Sequence, residues 1–174
     1  MRHLPTGCSE EPSFAARALR DVLGSFPTGV AVVTATGTQS ELYGVTVNSF
    51  NSVSLDPPLV LFSLCRTLLS LEGILRAGSF AINFLRDDQA DLSLRFANAG
   101  SDKWQGVEFR TGMTGSPVLV PALAVLECQP YARYDGGDHV IVVGQVMHVE
   151  MDPVRHPLVF FRGRYHRLLH GEHD

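Results

Sequence analysis

The sequence predicts a mainly β fold, an antiparallel barrel carrying a few short helices, in preference to a doubly wound sheet. Its apolar runs have the length and β-branched content of strands: Val30–Thr34, Leu42–Val47, Leu59–Ser63, Ser79–Leu85, Ala122–Tyr134, His139–Met151 and Leu158–Phe161. Turn-forming clusters of hairpin type join neighbours among them, Gly37-Thr38-Gln39-Ser40 and Asp135-Gly136-Gly137-Asp138. Neither GxGxxG nor GxxxxGKS/T occurs, so any nucleotide is bound without Rossmann or P-loop mechanics.

Taken in order, residues 1–12 read as a loose arm, 13–168 as one domain and 169–174 as a polar, flexible tail. Ser13 is placed to cap a helix over Phe14–Leu23, with Ala15, Leu19, Val22, Leu23 and Phe26 on one face, and Gly24 and Pro27 end it. The first two strands follow. From Thr46 to Ser54, hydroxyls and amides alternate with apolar residues, a polar turn-forming cluster between strands that must be buried. Asp56-Pro57-Pro58 is expected to be a rigid turn, because consecutive prolines remove backbone donors. Thr67–Arg76 reads as a helix with Leu68, Leu71 and Leu75 on one side, stopped by Gly78. Asp87 is placed to cap a second helix, Asp88–Ala97, with Ala90, Leu94 and Ala97 in register. Residues 98–117 hold the only tryptophan, Trp104; a stretch this long is more than a connection, and it is expected to be a lid or a dimer arm. Val140–Val143 is apolar on both faces, which points to burial on both, with a second copy of the chain as one partner.

The chain has 174 residues, 45% hydrophobic and 18% charged, enough for one domain with a sizeable core. A net charge of −4 argues against nucleic-acid and anionic-membrane partners, which are met by basic patches. No uncharged apolar run approaches the roughly 18 residues of a membrane span, and no signal-peptide core follows the N-terminus, so the cytoplasm is the expected compartment. Cys8, Cys65 and Cys128 are too few and too widely spaced for a disulfide framework or zinc site. The histidines form no HExxH, and no metal is expected.

The ordered segments FPTGVAVVT at 26–34, GVTVNSFNSVSLDPPLV at 44–60, FAINFL at 80–85, RFAN at 95–98, DKW at 102–104, GGDHVIVVGQV at 136–146 and PLVFFRGRY at 157–165 carry a resemblance. Together they resemble the flavin reductase-like family of FMN-binding split barrels, the reductase components of two-component flavin monooxygenases. The resemblance implies a homodimer of antiparallel Greek-key split β-barrels. Each subunit would reduce FMN or FAD with NADH or NADPH and supply reduced flavin to a partner monooxygenase.

Carried onto this sequence, it implies flavin contacts at Gly44, Val45, Thr46, Asn48 and Ser49, at Ser63, Leu64 and Cys65, at Ser70, and at Arg95 and Phe96. It implies nicotinamide nucleotide contacts at His139 and at Pro157, Leu158 and Val159, with Arg164 and Tyr165 in the terminal motif. Leu69 stands where relatives often carry a polar or basic residue, and Arg66 is a candidate to compensate at the flavin phosphate. The residue types suit the chemistry. Short hydroxyls and backbone N–H groups at a helix start favour a phosphate, and an arginine adds charge-assisted bonds. Thr46, Asn48 and Ser49 offer fixed donors and acceptors to a flavin edge. Hydride transfer belongs to the cofactor, so no side-chain acid or base is assigned. Two other readings use the same fold: a flavoprotein that retains FMN and acts on its own substrate, and a non-enzymatic flavin carrier or sensor.

Overall fold

The computed structural model describes residues 15–100 and 102–168, so the expected arm with Cys8, Ser13, Phe14 and the tail lie outside the described residues. The apolar runs form strands: β1 (Thr28–Gly29), β2 (Ala31–Thr36), β3 (Leu42–Val47), β4 (Asn51–Leu55), β5 (Pro58–Cys65), β6 (Phe80–Phe84), β7 (Phe109–Thr111), β8 (Pro117–Leu119), β9 (Ala124–Gly136), β10 (His139–Met151), β11 (Val159–Phe161) and β12 (Arg164–His166). The helices are α1 (Ala16–Leu23), α2 (Leu71–Arg76) and α3 (Ala90–Ala97). None of the described helices is long and apolar enough to cross a membrane.

One antiparallel sheet of 7 strands carries the fold, in the order β3-β2-β6-β9-β10-β5-β4. Its two edge strands, β3 and β4, follow each other in the chain with only residues 48–50 between them. The four Cα steps from Val47 to Asn51 span at most about 15 Å, so the sheet has to curl until its edges nearly meet. They do not pair with each other. The barrel is split, as the resemblance implies, and the seam lies at the polar cluster. Most of that cluster is strand: Thr46 and Val47 end β3, and Asn51–Leu55 is β4, an edge strand too polar to stand out as one.

Alternate residues of β2 feed two cores, as the period of a strand requires. Ala31, Val33 and Ala35 join Phe62, Phe80 and Ile82 in the larger one. Val30 and Val32 join Leu85, Phe96, Leu119 and Leu158 in the smaller. Val140, Val142 and Val143 are buried within this chain by the β5 and β9 neighbours of β10, so their apolar character needs no second copy. Exposed apolar surface sits elsewhere, including α1, which buries none of its residues, and Phe26 just after it: Val22, Leu23 and Phe26 are 68%, 63% and 74% exposed.

Several boundaries differ from expectation. Pro58 opens β5 opposite Leu55, at the first strand position, where a missing N–H is tolerated. The helix expected from Thr67 begins only at Leu71, after a turn over 67–70. Asp87 caps nothing; α3 starts after Gln89, whose side-chain oxygen accepts the Arg86 N–H at 2.8 Å. The stretch at 98–117 is not a lid. Trp104 packs edge-on between Phe96 and Phe109, each with ring centroids 5.1 Å away. Strands β7 and β8 then form a hairpin pinned to the sheet: Thr34 Oγ1 donates to Pro117 O at 2.5 Å, and Leu119 N–H to Asn83 Oδ1 at 2.9 Å. The turn of that hairpin donates Met113 N–H, Thr114 N–H and the Thr114 hydroxyl to the fully buried Glu127 carboxylate at 2.9, 2.7 and 2.8 Å.

Candidate flavin and nucleotide site

The seam opens a cavity of about 280 Å³. One wall is the end of β3 and its loop, Val45 to Ser49; the other is the end of β5, Ser63, Leu64 and Cys65, with His139 beside them. His139 reaches this wall because β10 pairs antiparallel with β5, placing His139 opposite Cys65. Through shared residues Cys65, Leu68 and Ala97 the cavity continues into one of about 420 Å³, bounded by Tyr43, Gly44, Ser70, Lys103 and Trp104. At Asn48 it meets a wider hollow of about 760 Å³ between α1 and the β11–β12 turn, lined by Arg20, Phe26, Thr28, Phe160 and Arg162.

The polar groups of this trough divide into those already engaged and those free. Thr46 Oγ1 donates to Ser93 O at 2.7 Å, and Ser93 Oγ lies 2.7 Å from the Tyr165 hydroxyl. Ser49 Oγ accepts the Ser63 N–H at 2.9 Å and so ties the loop to β5 across the seam. Among the described residues the Asn48 amide has no hydrogen bond, and Ser70 Oγ is buried without a partner. An unpaired buried hydroxyl costs about 1–3 kcal/mol, a cost that a polar group entering the cavity beside Ser70 would remove. Lys103 is the one cation among the described residues of the larger cavity; its Nζ donates to Phe96 O at 3.1 Å, and burial pushes its pKa down. The Cys65 thiol is pulled below its ordinary pKa by the hydroxyl and then the N–H of Thr67. The trough therefore presents donors and acceptors at Asn48, apolar walls at Leu64, Leu68 and Ala97, and a hydroxyl and a cation at the far end. The expected helix dipole at Ser63–Ser70 adds little, because α2 has only 6 residues.

The predicted residues do not all meet here. Gly44, Val45, Thr46, Asn48, Ser49, Ser63, Leu64, Cys65, Ser70 and His139 line the two connected cavities. Four contacts expected of side chains are placed elsewhere. Arg66 turns away to the β9–β10 turn, donating to Gly137 O at 2.8 Å and lying 3.2 Å from the Asp135 carboxylate. Arg95 lies on the opposite side of α3 and donates to Gln105 O at 2.6 Å. The Phe96 and Leu158 side chains are packed in the smaller core and line none of the three hollows. Pro157, Val159, Arg164 and Tyr165 line none of the three hollows. Pro157 bridges Arg86, Val159 and Arg164 belong to the β11–β12 hairpin, and Tyr165 anchors Ser93. Lys103 was missed as a site residue although its DKW segment was read as part of the pattern; its wall position depends on Trp104 packing, which no local spacing reveals.

Residues 23–169 match the family model described as "Flavin reductase like domain". The chain is 41% identical over 150 residues to the actinorhodin polyketide dimerase of Streptomyces coelicolor, covering 86% of this chain and 85% of that one. It is 38% identical over 151 residues to the reductase subunit HsaB of a Mycobacterium tuberculosis flavin-dependent monooxygenase, covering 86% and 80%. Its fold superposes with a TM-score of 0.83 on the Streptomyces globisporus NADH:FAD oxidoreductase SgcE6 in complex with NAD and FAD fragments, at 38% identity and covering 88% and 93%. With the family model spanning most of the chain and the seam cavity presenting its residues together, the chain belongs to the flavin reductase-like domain family.

Proposed function

We propose that this chain is an NAD(P)H:flavin oxidoreductase that reduces FMN or FAD and supplies reduced flavin to a separate monooxygenase component. The observation that carries this reading is the placement of His139 in the wall of the same cavity as Thr46, Asn48, Ser49, Ser63, Leu64 and Cys65. The likeness to a monooxygenase reductase subunit and to an NADH:FAD oxidoreductase supports it.

A bound flavin supplies the hydride-accepting chemistry; the chain's own residues hold and orient it. Asn48 offers a donor and an acceptor to the ring edge. Ser70 and Lys103 suit a phosphate, one as a hydroxyl and one as a desolvated cation. Leu64, Leu68 and Ala97 exclude water from the ring. His139, with its side chain 41% exposed at the cavity mouth, contacts the nicotinamide nucleotide, its ring held by Asp138 at 2.7 Å. We also infer a homodimer working in the cytoplasm. The exposed Leu23 and Phe26 line the widest hollow, Val22 is exposed on the same helix, and a second copy would cover them.

A second reading, a flavoprotein that retains its flavin and acts on an organic substrate, is favoured by the likeness to a polyketide dimerase. The test of the His139 assignment is His139→Ala. It is expected to raise KM for NAD(P)H about tenfold while flavin Kd stays put. Equal changes in both would make His139 a structural residue.

A further inference from the structure

Arg66 follows the last residue of β5, and its polar contacts lie at the end of β9 and in the turn that leads to β10. Its backbone N–H donates to Asp138 O at 2.9 Å. Its Nε donates to Gly137 O at 2.8 Å, and a terminal guanidinium nitrogen lies 3.2 Å from Asp135 Oδ2. The other Asp135 oxygen accepts the Gly137 N–H at 2.8 Å. That N–H first, and then the Arg66 charge, hold the Asp135 carboxylate below its ordinary pKa. Gly137 sits at φ +75°, so the turn is a tight one that glycine permits. The turn ends in Asp138, whose carboxylate is 2.7 Å from His139 Nδ1.

Successive residues of the β5 end thus point to opposite sides. Cys65 lines the cavity opposite His139, and Arg66 grips the turn that delivers His139 to it. We propose that Arg66 and Asp135 are positioning residues for the hydride donor: they fix the 135–138 turn, and through Asp138 the His139 ring, at the mouth of the flavin cavity. The proposal rests on His139 contacting the nicotinamide nucleotide. Arg66 and Asp135 side chains are 46% and 81% exposed, and an ion pair this exposed adds little to global stability. Its effect is local, which separates positioning from a general structural role.

The experiment compares Arg66→Ala, Arg66→Lys, Asp135→Asn, His139→Ala and the Arg66→Ala/His139→Ala double variant. Each is measured for KM of NADH, Kd of FMN by fluorescence, and Tm. Arg66→Ala and Asp135→Asn are each expected to raise KM for NADH about three- to tenfold, with FMN Kd and Tm unchanged. Arg66→Lys recovers part of the loss, since one ammonium reaches one of two acceptors. The double variant is no worse than His139→Ala alone, because both changes remove the same contact. The sign for Asp135→Asn discriminates: acting through its charge alone, Asp135 would repel an anionic nucleotide, and its removal would lower KM. An unchanged or lowered KM in Asp135→Asn, with His139→Ala raised, overturns the proposal and leaves the His139 reading standing. A weakened FMN Kd in Arg66→Ala overturns it by making Arg66 a flavin ligand. No effect of His139→Ala on KM removes the underlying reading, and the proposal with it.

Discussion

Replacing Gly44 by alanine separates two reasons for a glycine at the flavin wall. A Cβ added there would lie 2.3 Å from Phe96 Cε1 and 2.5 Å from Cδ1, where ordinary contact begins near 3.4 Å, so the ring has to retreat by about 1 Å. It has little room to do so. Phe96 is fully buried, Trp104 stands 5.1 Å away, and α3 would have to move with it. Overpacking of this kind costs about 1–3 kcal/mol, offset by about 0.5–1 kcal/mol from the reduced backbone freedom of alanine in a strand. The net loss, about 0–2.5 kcal/mol with a midpoint near 1, lowers Tm by up to roughly 10 °C in a chain of this size. FMN affinity should fall as well, because Phe96 O orients Lys103 and Ala97 lines both cavities. The assay is thermal unfolding with FMN titration for Gly44→Ala, Phe96→Leu and the double variant. Leucine withdraws the ring atoms, so the double variant should be more stable than the sum of the singles by about 1 kcal/mol. An unchanged Tm with FMN binding abolished would refute this packing argument and put the Gly44 backbone against the ligand.

Two further outcomes follow from the titrating groups. Burial lowers the Lys103 pKa, so its charge is lost at a lower pH than that of an exposed lysine. FMN affinity should therefore fall as pH rises through that lowered pKa while riboflavin, which lacks a phosphate, is unaffected; Lys103→Gln should weaken FMN about tenfold or more and abolish the pH dependence, as parallel titrations of the two flavins will test. For Glu127, burial opposes ionisation, but the Thr114 and Met113 N–H groups, the Thr114 hydroxyl and His148 outweigh it and depress the pKa. The stability this contributes is present above the unfolded carboxylate pKa and lost as pH falls through the depressed folded one. Glu127→Gln should cost about 1–3 kcal/mol at neutral pH, with the gap to the native chain closing in acid; a gap that persists in denaturant melts at low pH would contradict the charged assignment.

The strands were legible because β2 and β6 are buried on both faces, while β5 and the first half of β10 are mostly buried or half-buried apolar runs. β4 was not, since Asn51, Ser52 and Val53 are exposed edge residues whose only strand signal is a partner distant in space. The apolar face of α1 was read correctly as a face, yet nothing within the described chain covers it. Thr46, Asn48, Ser49 and His139, named from ordered motifs, stand together in the wall of one cavity. Arg66 and Arg95 were misplaced because a motif fixes where a residue stands along the chain. Which way its long side chain turns is decided by competing acceptors, Gly137 O and Asp135 for one and Gln105 O for the other. Lys103 was passed over for the converse reason: its neighbourhood is assembled by α3 and Trp104.

The claim that this chain reduces flavin catalytically and releases it is tested most directly by anaerobic absorbance. The purified protein is mixed with excess FMN and NADH, and the oxidised flavin band is followed. Bleaching of many flavins per protein molecule is the predicted result. Bleaching that halts at one flavin per protein would contradict release and favour a retained prosthetic group, and binding without bleaching would contradict the reductase assignment itself.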